Sequence, residues 1–224
     1  MEKMTERTKL VVKDMEKIEN SNILLLGVGG VGGYVLEMLV RLGVKHISVV
    51  DCDVFDETNL NRQLLATIGT LGLKKAEVAR ARAMSINPNI ELIPFCEKIT
   101  KENISTFLSQ KFDYVIDAID DVSAKVAVIK FCKENDIPFV SAMGTGNRFH
   151  MPQFVASDLF KTSYDGLSRK MRTELKKEGI TSGVPVVYTK EQAEKTSSLG
   201  SVVYYPLMCA GTIVSFVTNN LLNK

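Results

Sequence analysis

Asn59, Arg62 and Lys75 place one amide and two cations in a short polar stretch, and Asp120 adds a carboxylate further along the chain. Phosphoryl or nucleotidyl transfer calls for such a set. Charge develops there on phosphate oxygens and on a departing pyrophosphate, and fixed cations in a dry site stabilise it. A single carboxylate that holds Mg²⁺ against substrate phosphates is the common arrangement for that metal. Hydride transfer needs no such cluster, and no Tyr-x-x-x-Lys occurs in the sequence.

These groups stand downstream of a glycine-rich turn, Asn22-Ile-Leu-Leu-Leu-Gly27-Val-Gly29-Gly30-Val-Gly32-Gly33. Gly27, Gly29 and Gly32 form G-x-G-x-x-G between an apolar strand and an apolar-patterned helix. The first glycine turns the chain, the second lets backbone approach a phosphate, and the third packs helix on strand. The helix start offers unpaired N–H groups and a positive dipole end to an anion. Asp51 ends the second strand, where its carboxylate can accept hydrogen bonds from ribose hydroxyls. The pattern predicts a Rossmann-type nucleotide site.

The elements that must position these residues read as an α/β chain. The expectation is a mostly parallel Rossmann-like sheet with helices on both faces, an N-terminal helical arm and a C-terminal α+β extension. Strands are predicted at 23–26, 47–50, 90–95, 114–116 and 138–142, alternating with helices at 31–42, 73–86, 101–108 and 123–135. A short helix is suggested at 64–68. Leu10, Val11, Met15 and Ile18 recur at helical spacing within the arm at 1–20. The nucleotide-binding core spans 21–157, with a further short strand at 154–156. Residues 158–200 read as a basic helix (Leu167, Met171 and Leu175 inward) and a mobile loop from Gly179 to Leu199. Residues 201–224 read as a strand at 202–205 and a closing helix at 207–222, with Pro206 near its start.

A chain of 224 residues, 45% hydrophobic and 24% charged with net charge +2, fits one large or two small globular units. That charge announces neither nucleic acid nor membrane by itself. Cys52, Cys96, Cys132 and Cys209 stand far apart, so paired thiolate zinc motifs are missing and zinc is not expected; buried, reduced thiols are. His46 reads as packing. No secretory signal is visible, and the apolar tract 202–217 falls short of a membrane span. A reducing cytoplasm fits this composition.

Taken together, Gly27-x-Gly29-Gly30-x-Gly32, Asp51-x-Asp53, Asn59-x-Asn61-Arg62-Gln63, Gly72-x-x-Lys75 and Asp117-x-x-Asp120 resemble the adenylating enzymes related to ubiquitin activation, which include the molybdopterin and thiamine sulfur-carrier activators. Within that superfamily the chain resembles the tRNA threonylcarbamoyladenosine dehydratase group. Arg7-Thr8, Ser141-Ala-Met-Gly144-Thr145-Gly146-Asn147, Asp158-Leu-x-Lys161-Thr162 and the basic helix through Gly179-Ile180 carry that resemblance, with Leu199-Gly200-Ser201 and Ala210-Gly211 near the end. Asp165-Gly166 stands where relatives often show Cys-Pro, so no thiol role transfers there.

The resemblance implies an ATP-dependent enzyme of tRNA modification that uses Mg²⁺ and works as a homodimer. Asp51 is then the ribose ligand, and Gly27, Gly29, Gly30, Gly32 and Asp53 bind the nucleotide with it. Asn59, Arg62 and Lys75 grip the triphosphate, and Asp120 is the Mg²⁺ ligand, a role compatible with capping the helix at 123–135. Arg7 matches an arginine that relatives supply from the partner subunit. The basic helix is a candidate tRNA surface, and a sulfur-transfer or redox protein is a further candidate partner; peripheral membrane association stays open. Two other readings remain. Adenylation of a ubiquitin-like carrier's C-terminus is disfavoured by the missing zinc cysteines. A nucleotide-binding scaffold without catalysis is disfavoured by Arg62, Lys75 and Asp120.

Overall fold

The computed structural model describes residues 3–223. The arm carries two short helices, α1 (Glu6–Lys9) and α2 (Met15–Glu19), rather than one continuous helix. Met15 and Ile18 are buried, but Leu10 and Val11 are more than 80% exposed, so the expected apolar face is only half used. Thr5 packs on Gly43, and Glu19 receives Lys9 at 3.3 Å and Lys45 at 3.2 Å.

The sheet is built from β1 (Asn22–Leu26), β2 (His46–Val50), β3 (Glu91–Phe95), β4 (Tyr114–Asp117), β5 (Phe139–Ala142), β6 (Phe154–Asp158) and β7 (Pro185–Thr189), in the order β3-β2-β1-β4-β5-β7-β6. All neighbours are parallel except β6 and β7. β1 lies inside the sheet between β2 and β4 and is buried on both faces: Ile23 and Leu25 enter one core, Leu24 and Leu26 the other. A continuous apolar run is what a two-sided parallel strand requires. α3 (Gly30–Arg41), α4 (Lys75–Ile86) and α8 (Tyr204–Leu222) cover the first face. α5 (Ile104–Phe107), α6 (Val122–Glu134) and α7 (Gly166–Lys177) cover the second. The chain passes from β1 outward to β2 and β3, then returns to place β4 against the other side of β1. A crevice opens at such a reversal, outside the carboxyl ends of the strands.

Four further expectations change. The span expected to be mobile, 179–199, contains β7, whose Val186 and Val187 are buried between β5 and β6. Its apolar run, Val184–Tyr188, is short, contains Pro185 and is flanked by polar chain, which masks it. Residues 202–205 do not form a strand: α8 already begins at Tyr204, because Pro206 is tolerated in a helix's first turn. Residues 64–67 form a turn and irregular chain, and only a short 3-10 helix, Ile68–Thr70, follows; the helix expected at 101–108 shortens to Ile104–Phe107.

Candidate active site at the carboxyl edge of the sheet

Gly27 has φ +84°, and a β-carbon there would lie 2.9 Å from Ala118 O in the turn that follows β4. One on Gly32 would fall 1.9 Å from Gly27 O, so the close packing of helix on turn holds only with glycine. Gly29 caps α3 without a side chain, leaving the first N–H groups of a twelve-residue helix pointed at the crevice. Asp51 reaches back to this turn: its Oδ2 accepts from the Val28 N–H at 2.8 Å and its Oδ1 from the Asp53 N–H at 2.9 Å. Burial pushes the Asp51 carboxyl above its ordinary range, against the pull of those two N–H groups.

Lys75 arrives by a device that sequence periodicity does not reveal. Residues 53–55 run antiparallel to 72–75, with Phe55 N–H on Leu73 O, Gly72 N–H on Phe55 O and Lys75 N–H on Asp53 O. Gly72, at φ +77°, turns the chain into this ribbon. Lys75 is 6% exposed, its Nζ 3.0 Å from Asp53 Oδ2 and 5.8 Å from the centre of the Phe55 ring. The Asp53 carboxylate itself is largely exposed.

The turn at 56–63 lies over the glycines. A β-carbon on Gly30 would sit 4.0 Å from Arg62 Cγ, and one on Gly29 would sit 3.7 Å from Gln63 Nε2. Arg62 Nη1 donates to Thr58 O at 2.7 Å and Asn61 Oδ1 at 3.0 Å. The buried Asn59 amide is engaged with Asp56, whose N–H and carboxylate it meets at 3.4 and 3.3 Å in a capping box. Asp120 is exposed just beyond the end of β4. It is not the cap of α6: Asp121 is, accepting from the Ala124 N–H at 2.8 Å. Among the described residues no group of three or more His, Cys, Asp or Glu side chains could hold a metal.

The glycines, Asp51, Asp53, Asn59, Arg62 and Lys75 therefore share one strand edge, with Asp120 on the neighbouring strand end. Arg7 does not join them. It is exposed on α1, which packs at the far end of α3, about 18 Å of helix from the glycine turn.

A second group escaped sequence reasoning. Lys125 on α6 is fully buried and donates to Asp117 Oδ2, Ser141 Oγ and Ala142 O, each at 2.9 Å. Asp117 Oδ1 in turn accepts the Ile119 N–H at 3.2 Å, shaping the turn that presents Asp120. An apolar-patterned helix gave no warning of its one inward lysine, although the paired position of Asp117 was visible. Of the cysteines, Cys132 and Cys209 are buried, and burial raises both thiols to about 12. Cys52 is exposed, contrary to expectation, and partial burial and neighbouring Asp53 raise it too. His46 is half-exposed and meets Glu91 at 2.9 Å rather than packing in the core.

The ThiF family profile matches residues 5–223. The tRNA threonylcarbamoyladenosine dehydratase of Bacillus subtilis is 41% identical over 177 residues, which is 79% of this chain and 70% of that protein. The chain belongs to the ThiF family, in the tRNA threonylcarbamoyladenosine dehydratase branch. The Escherichia coli dehydratase of the same name is 36% identical over 197 residues, or 85% of this chain and 74% of that protein. A crystal structure of the Escherichia coli enzyme in complex with ATP superposes with a TM-score of 0.95 at 31% identity, covering 99% of this chain and 94% of that one. The ThiF-family assignment thus extends over the arm, the sheet and α8 together.

Proposed function

We propose that this chain is an ATP-dependent dehydratase acting on threonylcarbamoyladenosine in tRNA. The observation that carries the reading is the gathering of the glycine turn, Asp51, Arg62 and Lys75 at one sheet edge, in a chain whose structural relative is described with ATP. Asp51 accepts the ribose hydroxyls with the carboxylate lone pairs left over from its two N–H donors. The N-terminus of α3 faces the phosphates.

In the first half-reaction the substrate's threonyl carboxylate attacks the α-phosphorus. An acyl–phosphate bond forms, the α–β phosphoanhydride bond breaks, and pyrophosphate leaves with its charge met by Arg62 and Lys75. A nucleophilic atom of the substrate's own carbamoyl arm then attacks the activated carbonyl, loses its proton and expels AMP. A ring closes with net loss of water. Intramolecular attack has a high effective concentration, so no protein thiol is required. Asp120 would hold Mg²⁺, which neutralises phosphate charge when bound. One exposed carboxylate with substrate phosphates suits that ion better than a closed protein cage does.

The working unit is a homodimer. α8 lies along α3 with Pro206 against Gly30 at one end and Leu222 O receiving Lys17 Nζ at the other. Its outward face carries no charge and bears a groove of about 630 Å³ lined by Met38, Ala156, Leu207, Met208, Gly211 and Phe216. Two such faces apposed antiparallel would carry each arm, and its Arg7, from the foot of one protomer to the glycine turn of the other. Mixing Arg7→Ala with Lys75→Ala chains should then restore activity in heterodimers; no recovery argues against action in trans.

Exposed Arg169, Lys170, Lys176 and Lys177 on α7 serve tRNA phosphates. Arg172, in contrast, is bound to Leu159 O, Thr162 O and Thr162 Oγ1 and belongs to the scaffold. The protein is placed in the cytoplasm, with a sulfur-transfer or redox protein as a further partner; no described helix is long and apolar enough to cross a membrane. ATP–pyrophosphate exchange measured with modified tRNA, with a carrier protein or with neither tests the assignment. Exchange with tRNA alone supports it, exchange with carrier alone selects carrier activation, and no exchange selects a scaffold.

A further inference from the structure

The loop that follows β5 forms a wall of the same mouth. Asn147, at φ +58°, pairs with Gly200 through both backbone and side chain, and Asn61 Nδ2 donates to Ser201 O at 3.1 Å. Tyr204 Oη donates to Phe149 O at 2.5 Å, and the neighbouring Tyr205 to His150 O at 3.1 Å, immediately before the Pro206 that packs against Gly30. The rim is thus continuous with Arg62 and the glycine turn.

On that rim the Phe149 side chain is 55% exposed, and its ring lies over His150 at 4.2 Å between centroids and 34° between planes. His150 is itself mostly exposed, and Tyr204 stands beside them. An aromatic pair turned to solvent, with its backbone fixed by two tyrosines, is not spent on the core.

The next residue inward settles what lies alongside. Arg148 is 4% exposed and donates to Gly144 O, Gly146 O, Glu191 O and Tyr164 O, and it pairs with Asp165 at 3.5 Å. Asp165 caps α7, accepting from the Ser168 N–H. One buried guanidinium therefore ties the aromatic pair to the start of the helix that exposes Arg169 and Lys170. Stacking faces next to backbone-tracking cations are the recognition chemistry of single-stranded nucleic acid.

We propose that Phe149 and His150 form a stacking platform for unpaired nucleotides of the anticodon loop, next to the residue whose carboxylate enters the site. The proposal rests on the tRNA reading above. The substrate's reacting arm must reach the α-phosphorus, so its flanking bases have to lie on this rim, and α7 lies where phosphates would continue.

The test measures a labelled anticodon stem-loop by fluorescence anisotropy, with ATP affinity and the state of assembly followed in parallel. Phe149→Ala should weaken stem-loop binding about ten-fold, the loss of one stacked base, while a blunt RNA duplex is unaffected. Phe149→Trp should keep wild-type affinity and Phe149→Leu should not, with ATP affinity and assembly unchanged throughout. The exposed side chain makes these variants safe for folding, since Tyr204 bonds only the backbone carbonyl. The platform is overturned if Phe149→Ala binds the stem-loop normally, or if leucine serves as well as phenylalanine. Dissociation of the assembly without an RNA effect would likewise overturn it and assign the rim to a second copy. Failure of the two readings is separable: tRNA-dependent exchange with an inert Phe149 sinks only the platform. A wild-type protein with neither exchange nor RNA binding sinks both.

Discussion

Two lysine–aspartate pairs lie on either side of the strand edge, and they do opposite work. Lys125 and Asp117 are both sealed from solvent, and all three ammonium donors are used: on Asp117, on Ser141 and on a backbone carbonyl. Lys75 is nearly as buried, but its partner Asp53 is largely exposed, and one contact at 3.0 Å occupies it. A saturated buried pair is architecture, whereas an under-used ammonium facing a crevice can accept a phosphate. Burial alone therefore does not mark a lysine that is open to a phosphate. The number of donors left over does.

Breaking the sealed pair should produce the largest effect. Lys125→Met strands the Asp117 charge and should cost about 3–5 kcal/mol in denaturant unfolding. Adding Asp117→Asn should recover part of that loss; no recovery would mean the two do not act as a pair. At the site-facing pair the signature reverses. Lys75→Met should lower pyrophosphate exchange by about two orders of magnitude or more while changing stability by about 1 kcal/mol or less.

A smaller effect is expected at Asp51, where burial holds the carboxyl above its ordinary 3.8. Only the ionised form accepts from both ribose hydroxyls, so ATP affinity should fall as pH drops through this raised value. Stability runs the other way. A carboxyl raised by folding favours the native state below its ordinary value, and that contribution is lost as pH rises through the folded one. Asp51→Asn turns an amide NH2 onto one of the two N–H donors, so it should lower the melting temperature at neutral pH, and it should flatten the acid limb of ATP binding; an unchanged limb assigns it to another group. The smallest change belongs to Asp53→Asn. An exposed partner is well screened, so ATP affinity should move by less than about five-fold. A hundred-fold loss would make Asp53 a nucleotide ligand in its own right.

How legible these regions were in the sequence follows the same division. The glycine turn, Asp51 and the central strands announce themselves through spacing, because a phosphate-approaching turn and a two-sided strand each admit few residue types. Gly72-x-x-Lys75 could be matched by resemblance, but the ribbon that brings Lys75 onto Asp53 has no periodicity to read. β7 was hidden for another reason: Val186 and Val187 sit inside polar chain, and only the space between β5 and β6 makes them a strand. Lys125 was invisible since its three acceptors come from two strands, β4 and β5, that are distant from each other in the sequence. Arg7 was singled out by family pattern, and the arm's packing at the foot of α3 shows that it cannot serve its own protomer's glycine turn without rearrangement.

On binding, Lys75 should leave Asp53 for a triphosphate held over the glycine turn, while Lys125 stays fixed. A crystal structure of this chain with ATP and Mg²⁺ tests it most directly. Lys75 Nζ and the Arg62 guanidinium should then lie within hydrogen-bond distance of phosphate oxygens, with Asp120 on the metal and the Lys125–Asp117–Ser141 cluster unchanged. Phosphates bound elsewhere, with Lys75 still on Asp53, would contradict it.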